Sequence, residues 1–162
     1  MKNLLLFATA TFFVACSQSE EMAPLSYNVS ANADFTVTNA QSQDLLDPSN
    51  PNHLDASKIK VFYVTDGQIK EINNPLSDYP KGYRIYKPET ATGYRITVFL
   101  NHLESVEKPI TYIRWNDTDI DTIQATFKKS TSGTMQDMIW LNGKKVWERG
   151  DGNTEPLFVK QN

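Results

Sequence analysis

Four oxygen-bearing side chains crowd into six residues at Asn116, Asp117, Asp119 and Asp121, and that donor set is the one a hard cation such as Ca²⁺ takes. An EF-hand is excluded by register, because Thr122 stands where that loop requires glycine and Lys128 where it requires a bidentate glutamate. The ordinary alternative is a polar turn in which Asn and Asp bond their own backbone, and on that reading the chain needs no cofactor. A second set, Asp44, Asp47, His53 and Asp55, lies in the connection 41–57 together with Pro48 and Pro51. Its spacing fits no metal-ligand motif. A connection of that length inside a compact domain is expected to be a binding loop.

Nucleophilic catalysis finds little to work with. His53 and His102 are the only histidines, neither stands in a nucleophile motif, no G-x-S-x-G occurs, and the sole thiol is Cys16. Carboxylate pairs for glycoside hydrolysis need only meet in space, and the sequence singles out no such pair.

The tryptophans point toward binding. In the run around Asn142-Gly143, plain two-residue hairpin pairing opposes Ile139 to Val146 and Met138 to Trp147. Ile139, Leu141 and Val146 then share one face, and Met138, Trp140, Trp147 and Lys145 the other. Both faces are apolar. Either the hairpin is covered on both sides, or Trp140 and Trp147 form a platform for a glycan or protein ligand, and Trp115 fits either arrangement.

Strand signals dominate from residue 34 onward. Phe35 and Val37 alternate with Thr36 and Thr38, and the run 59–64 turns at Asp66-Gly67 so that Val64 faces Ile69 and Val61 faces Ile72. The runs 83–86, 94–100, 110–115 and 120–127 are rich in β-branched and aromatic residues. Gly82-Tyr83-Arg84-Ile85 recurs as Gly93-Tyr94-Arg95-Ile96, which reads as two adjacent antiparallel strands. Only the stretch 100–106 has room for a helical turn. The expected fold is all-β, an immunoglobulin-like or transthyretin-like antiparallel sandwich of about eight strands, with a small β-barrel as the alternative.

At 40% hydrophobic and 22% charged residues the chain has the composition of one globular domain. The net charge of -3 and the lack of a Lys/Arg stripe argue against nucleic acid. At the start, Lys2 precedes the apolar run 4–14 and then Ala15-Cys16. That run is shorter than the roughly 20 residues of a membrane-spanning helix and is flanked as a secretory leader is. With a single cysteine, no internal disulfide can staple the core.

Phe13-Val14-Ala15-Cys16 resembles the bacterial lipobox, with Phe13 in place of the usual leucine. The resemblance implies cleavage before Cys16, a diacylglyceryl group on its sulfur, and a membrane partner held through two or three acyl chains. Residues 1–15 are then a signal peptide, 16–33 a flexible tether and 34–160 the folded domain. Glu20-Glu21 close behind the cysteine is similar to the export signal of Bacteroidota-type surface lipoproteins, which implies an outer-membrane address facing outward. The chain as a whole is similar to the small single-domain lipoproteins of those bacteria through Asp44-Leu45-Leu46-Asp47-Pro48 and the runs 113–123 and 140–148. Asp121-Thr122-Ile123 also resembles their O-glycosylation acceptor. No activity comes with the resemblance. The functional expectation is a lipid-anchored binding or accessory module with an unknown ligand, not an enzyme. The alternatives are a structural subunit of a surface assembly that pairs through an exposed sheet edge, and a hydrolase.

Overall fold

The computed structural model describes residues 27–103, 105–152 and 156–160. The leader, Cys16 and residues 17–26 of the expected tether lie outside the described residues. Period-two alternation builds the chain: β1 (Asn28–Ser30), β2 (Asn32–Asn39), β3 (Lys60–Thr65), β4 (Gln68–Glu71), β5 (Tyr83–Tyr86) and β6 (Arg95–Phe99) come first. They are followed by β7 (Ile110–Arg114), β8 (Ile120–Ser130), β9 (Gly133–Leu141), β10 (Lys144–Glu148) and β11 (Leu157–Lys160). No helix occurs among the described residues, and those of the stretch 100–106 are bends and irregular backbone where the composition allowed a helical turn.

The strands form a β-sandwich. One sheet has seven strands in the order β1, β9, β8, β7, β3, β4, with β10 also on β9; the other has four, in the order β11, β2, β6, β5. One of the two sheets is curled into a half-barrel. Inward residues alternate along the core strands β2, β7 and β8, as in β2, where Ala33, Phe35 and Val37 are buried between half-exposed neighbours.

Three features depart from the expected sandwich. Eleven strands are present among the described residues rather than about eight, because short strands such as β1 and β11 carry too few residues to show a period. Two pairings, β1 with β9 and β11 with β2, are parallel, so the sheets are mixed. Among the described residues, strand structure is also already present at Asn28, ahead of residue 34. β1 and β2 are almost one strand, which crosses from sheet to sheet at the buried Ala31; its carbonyl accepts from the Leu100 amide at 2.7 Å. A small residue there lets the chain thread between the layers.

Turn chemistry behaves as read. Asp66 and Gly67 have φ of 52° and 72°, and Asn142 and Gly143 have 49° and 81°, the left-handed pair that a two-residue hairpin demands and that Gly adopts freely. Val64 pairs Ile69, and the Ile72 amide donates to the Val61 carbonyl at 2.8 Å. β5 and β6 are antiparallel neighbours, Ile85 opposite Ile96. The register of the second hairpin differs: a bulge between Lys145 and Trp147 leaves Val146 unpaired and sets Trp147 opposite Ile139 and Glu148 opposite Met138.

The connection 41–57 is not an open loop. Leu45 and Leu46 are buried in the core, the Leu45 amide donates to the Val37 carbonyl at 2.9 Å, and the Leu54 amide to the Leu45 carbonyl at 2.8 Å. It therefore closes one end of the sandwich, and burial of two leucines stabilises it by about 3–5 kcal/mol.

Candidate functional site

Trp115 belongs to the core. It is 1% exposed, its ring meets Phe158 edge-on at 5.2 Å, and its Nε1–H donates to Asp121 Oδ2 at 2.7 Å. It presents no face to a ligand, which corrects its place in a tryptophan platform. Trp140 and Trp147 do not share a face either. The bulged residue shifts the pairing by one, and a one-residue slip moves a side chain to the other side of a sheet. Trp147 thus faces Ile139 and packs with Val146 against the core. Trp140 pairs Gln124 and Lys145 on the outer face, with Lys108 Nζ 4.2 Å from its ring centroid.

The acidic run is latched to a lysine from the other sheet. Asn116 Oδ1 accepts from the Thr118 amide at 2.9 Å and the Asp119 amide at 3.1 Å, an Asx turn, while Asp117 is exposed. Lys160 on β11 supplies the positive charge: its Nζ contacts Asp121 Oδ2 directly and Asp119 Oδ1 at 3.0 Å. Among the described residues no group of three or more His, Cys, Asp or Glu side chains converges for a metal. A lysine buried this deeply requires counter-charges, and Asp119 and Asp121 supply them. Asn142 Nδ2 donates to Asp121 Oδ1 at 2.7 Å, and its Oδ1 accepts from the Thr122 amide at 2.9 Å, tying the hairpin turn to β8. Burial pushes the Asp121 carboxyl up, yet the donors from Asn142, Lys160 and Trp115 outweigh it and hold the group below the usual carboxylate range.

Polar side chains of the connection 41–57 bond their own loop and the neighbouring turn at Tyr94. Asp44 accepts from the Leu46 amide at 2.8 Å and the Tyr94 amide at 2.7 Å. Ser49 and Ser57 hydroxyls donate to Asp47 and Asp55 and hold those carboxyls below their ordinary value. His53 Nδ1 pairs with the Asn50 carbonyl at 2.7 Å.

A group that sequence reasoning passed over stands on the outer face of the four-stranded sheet. Register aligns Arg84 on β5, Thr97 on β6 and Asp34 on β2 in one row. Arg84 Nε donates to Thr97 Oγ1 at 3.1 Å, Thr97 Oγ1 to Asp34 Oδ1 at 2.5 Å, and the Tyr86 hydroxyl to Asp34 Oδ2 at 3.1 Å. The exposed Arg84 guanidinium lies 4.7 Å from the Tyr86 ring centroid and 5.5 Å from that of Tyr79. Tyr79 stacks on Phe99 at 5.3 Å with a 22° interplanar angle.

The connection between β4 and β5 positions Tyr79. The Asn74 amide donates to the Pro80 carbonyl at 2.9 Å, closing the segment end to end, and Leu76 at its tip is 95% exposed. Two open depressions flank Tyr79, one of about 410 Å³ against Tyr83 and Arg84, the other of about 400 Å³ against Tyr63, Asn74 and Phe99. Flat aromatic rings beside a guanidinium and hydroxyls form a surface that stacks on apolar C–H faces and bonds hydroxyls or anions at the rim. The Tyr-Arg echo of 83–84 in 94–95 was the only trace of it in the sequence, and it spoke of strands rather than of a site. Comparison with protein-family models, with curated proteins and with solved structures finds no match for this chain.

Proposed function

We propose that the protein is a lipid-anchored binding module of the bacterial cell envelope. Cys16 carries the acyl chains and holds it to the outer membrane, outward-facing, and the Tyr79, Arg84 and Tyr86 face takes a carbohydrate. The observation that carries the ligand reading is Tyr79, braced on Phe99 and bordered by two depressions of about 400 Å³ with a guanidinium overhead. Preorganised rings of this kind bind sugars at low entropic cost. The leader and Phe13-Val14-Ala15-Cys16 carry the anchoring reading.

Two experiments test it. A glycan array followed by calorimetry compares the wild type with Tyr79→Ala and Arg84→Ala; a hit lost in both variants, with melting unchanged, supports the ligand face, and equal binding by all three refutes it. Cell fractionation of Cys16→Ala tests the anchor: release of the protein from membranes is expected, and retention would refute lipidation at this residue.

A second reading, a subunit of a surface assembly, draws on the edge strand β11. Leu157 and Val159 stand 47% and 56% exposed along a strand that, among the described residues, has a neighbour on one side only, and such an edge is a template for strand addition. Self-association abolished by Leu157→Lys would favour that reading over the carbohydrate one.

A further inference from the structure

Lys160 and Asp121 meet under conditions that do more than form an ion pair. The lysine sits on β11 in the four-stranded sheet and the aspartate on β8 in the seven-stranded sheet. Their side chains are only 7% and 12% exposed. Lys160 Nζ lies 4.8 Å from the Trp115 ring centroid and 5.6 Å from that of Phe158, so the amine is walled by aromatic surface. It touches Asp121 Oδ2 on one side and Asp119 Oδ1, at 3.0 Å, on the other. Asp121 is gripped at both oxygens by neutral N–H donors, Trp115 Nε1 on Oδ2 and Asn142 Nδ2 on Oδ1, each at 2.7 Å.

We propose that Lys160 and Asp121 condense to an intramolecular amide, a cross-link between the last described strand and the opposite sheet. A new bond forms between Lys160 Nζ and Asp121 Cγ, the Cγ–Oδ2 bond breaks, and one water leaves. Nitrogen gives up two of the three protons of the ammonium, and both end on the departing Oδ2. Asp119 ferries them: it accepts from Nζ, returns the proton to Oδ2 and finishes unchanged. Oδ1 becomes the amide oxygen, and Asn142 holds it as negative charge builds in the tetrahedral adduct. No oxidant or co-reactant enters.

Two physical arguments favour the condensation. Fixing amine and carboxyl in contact converts a bimolecular step into a unimolecular one with an effective molarity on the order of 10⁵ M or more. The product replaces two buried charges with a neutral amide, which removes the desolvation cost that the ion pair carries. A chain with one cysteine has no disulfide available for this purpose.

The test is peptide mass spectrometry on the full-length protein, denatured and digested. A branched peptide joining the Lys160 and Asp121 segments, lighter by one water than its two parts, is the expected result. Fragmentation must show the branch, since cyclisation at Asp66-Gly67 also releases water but leaves a linear peptide. Lys160→Arg and Asp121→Ala should each lack the species. Asp119→Asn should slow its appearance after synthesis by roughly a hundredfold, the scale of a lost proton carrier. Linear peptides alone from the wild type, with Lys160 open to an amine-reactive reagent after denaturation, would overturn the proposal whether or not the variants fold. Cross-linking at an unchanged rate in Asp119→Asn would overturn the assigned proton path.

Discussion

Trp115 donates its indole N–H to Asp121 at 2.7 Å inside the sandwich, so two residues whose types suggested ligand and cation binding satisfy each other. Their contact joins the end of β7 to the start of β8 and leaves the remaining valences of Asp121 to Lys160 and Asn142. Removing any member strands a buried polar partner.

Trp115→Phe tests this directly. It keeps a ring against Phe158 but deletes the donor to Asp121, and should cost about 1–3 kcal/mol. Trp115→Ala should cost about 3–5 kcal/mol by opening a cavity as well. Denaturant melts measure both, and a neutral Trp115→Phe would show that the indole N–H is not needed by Asp121.

Trp140 and Trp147 should separate in the same assay. Trp147→Ala removes a ring packed on the core beside Val146 and should cost about 3 kcal/mol. Trp140→Ala removes an outer-face ring under Lys108, with an expected loss of about 1 kcal/mol. Equal costs would place both rings on one side of the hairpin.

Gly143→Val and Gly67→Val should each lose about 2 kcal/mol, because β-branched residues resist the left-handed backbone at both sites. No neighbour crowds either position, Gly67 and Gly143 having nothing within 4 Å of an added Cβ. The loss is therefore conformational, and alanine should recover part of it.

Tyr63 gives the fold an alkaline limit. Its hydroxyl donates to the Phe99 carbonyl at 3.0 Å, and burial pushes its pKa up from 10.0 to about 12. A raised folded value means that the stabilisation is complete below the unfolded pKa and is lost as pH rises through the folded one. Melting temperature should fall between pH 10 and 12. Tyr63→Phe should flatten that fall while costing about 1 kcal/mol at neutral pH. An alkaline limb unchanged in the variant would assign the loss to other groups.

Local chemistry by itself determined the strand character, the two left-handed turns at Asp66-Gly67 and Asn142-Gly143, the pairing of Val64 with Ile69 and the neighbourhood of β5 and β6. Each rests on period-two alternation or on the backbone freedom of glycine, which act over a few residues. Tertiary structure alone decided the rest. An unpaired Val146 was enough to part Trp147 from Trp140, because every side chain beyond a bulge changes sides and no residue type announces where the ladder slips. The cation for Asp121 comes from Lys160, 39 residues away on the other sheet, and the roof over Asp34 from Tyr86, 52 residues on. Ion pairs and aromatic stacks form between whatever residues the pairing and packing bring together, so the acidic turn acquired its lysine only when the two sheets met, and the Tyr79 face its arginine and rings only when β2, β6 and β5 paired.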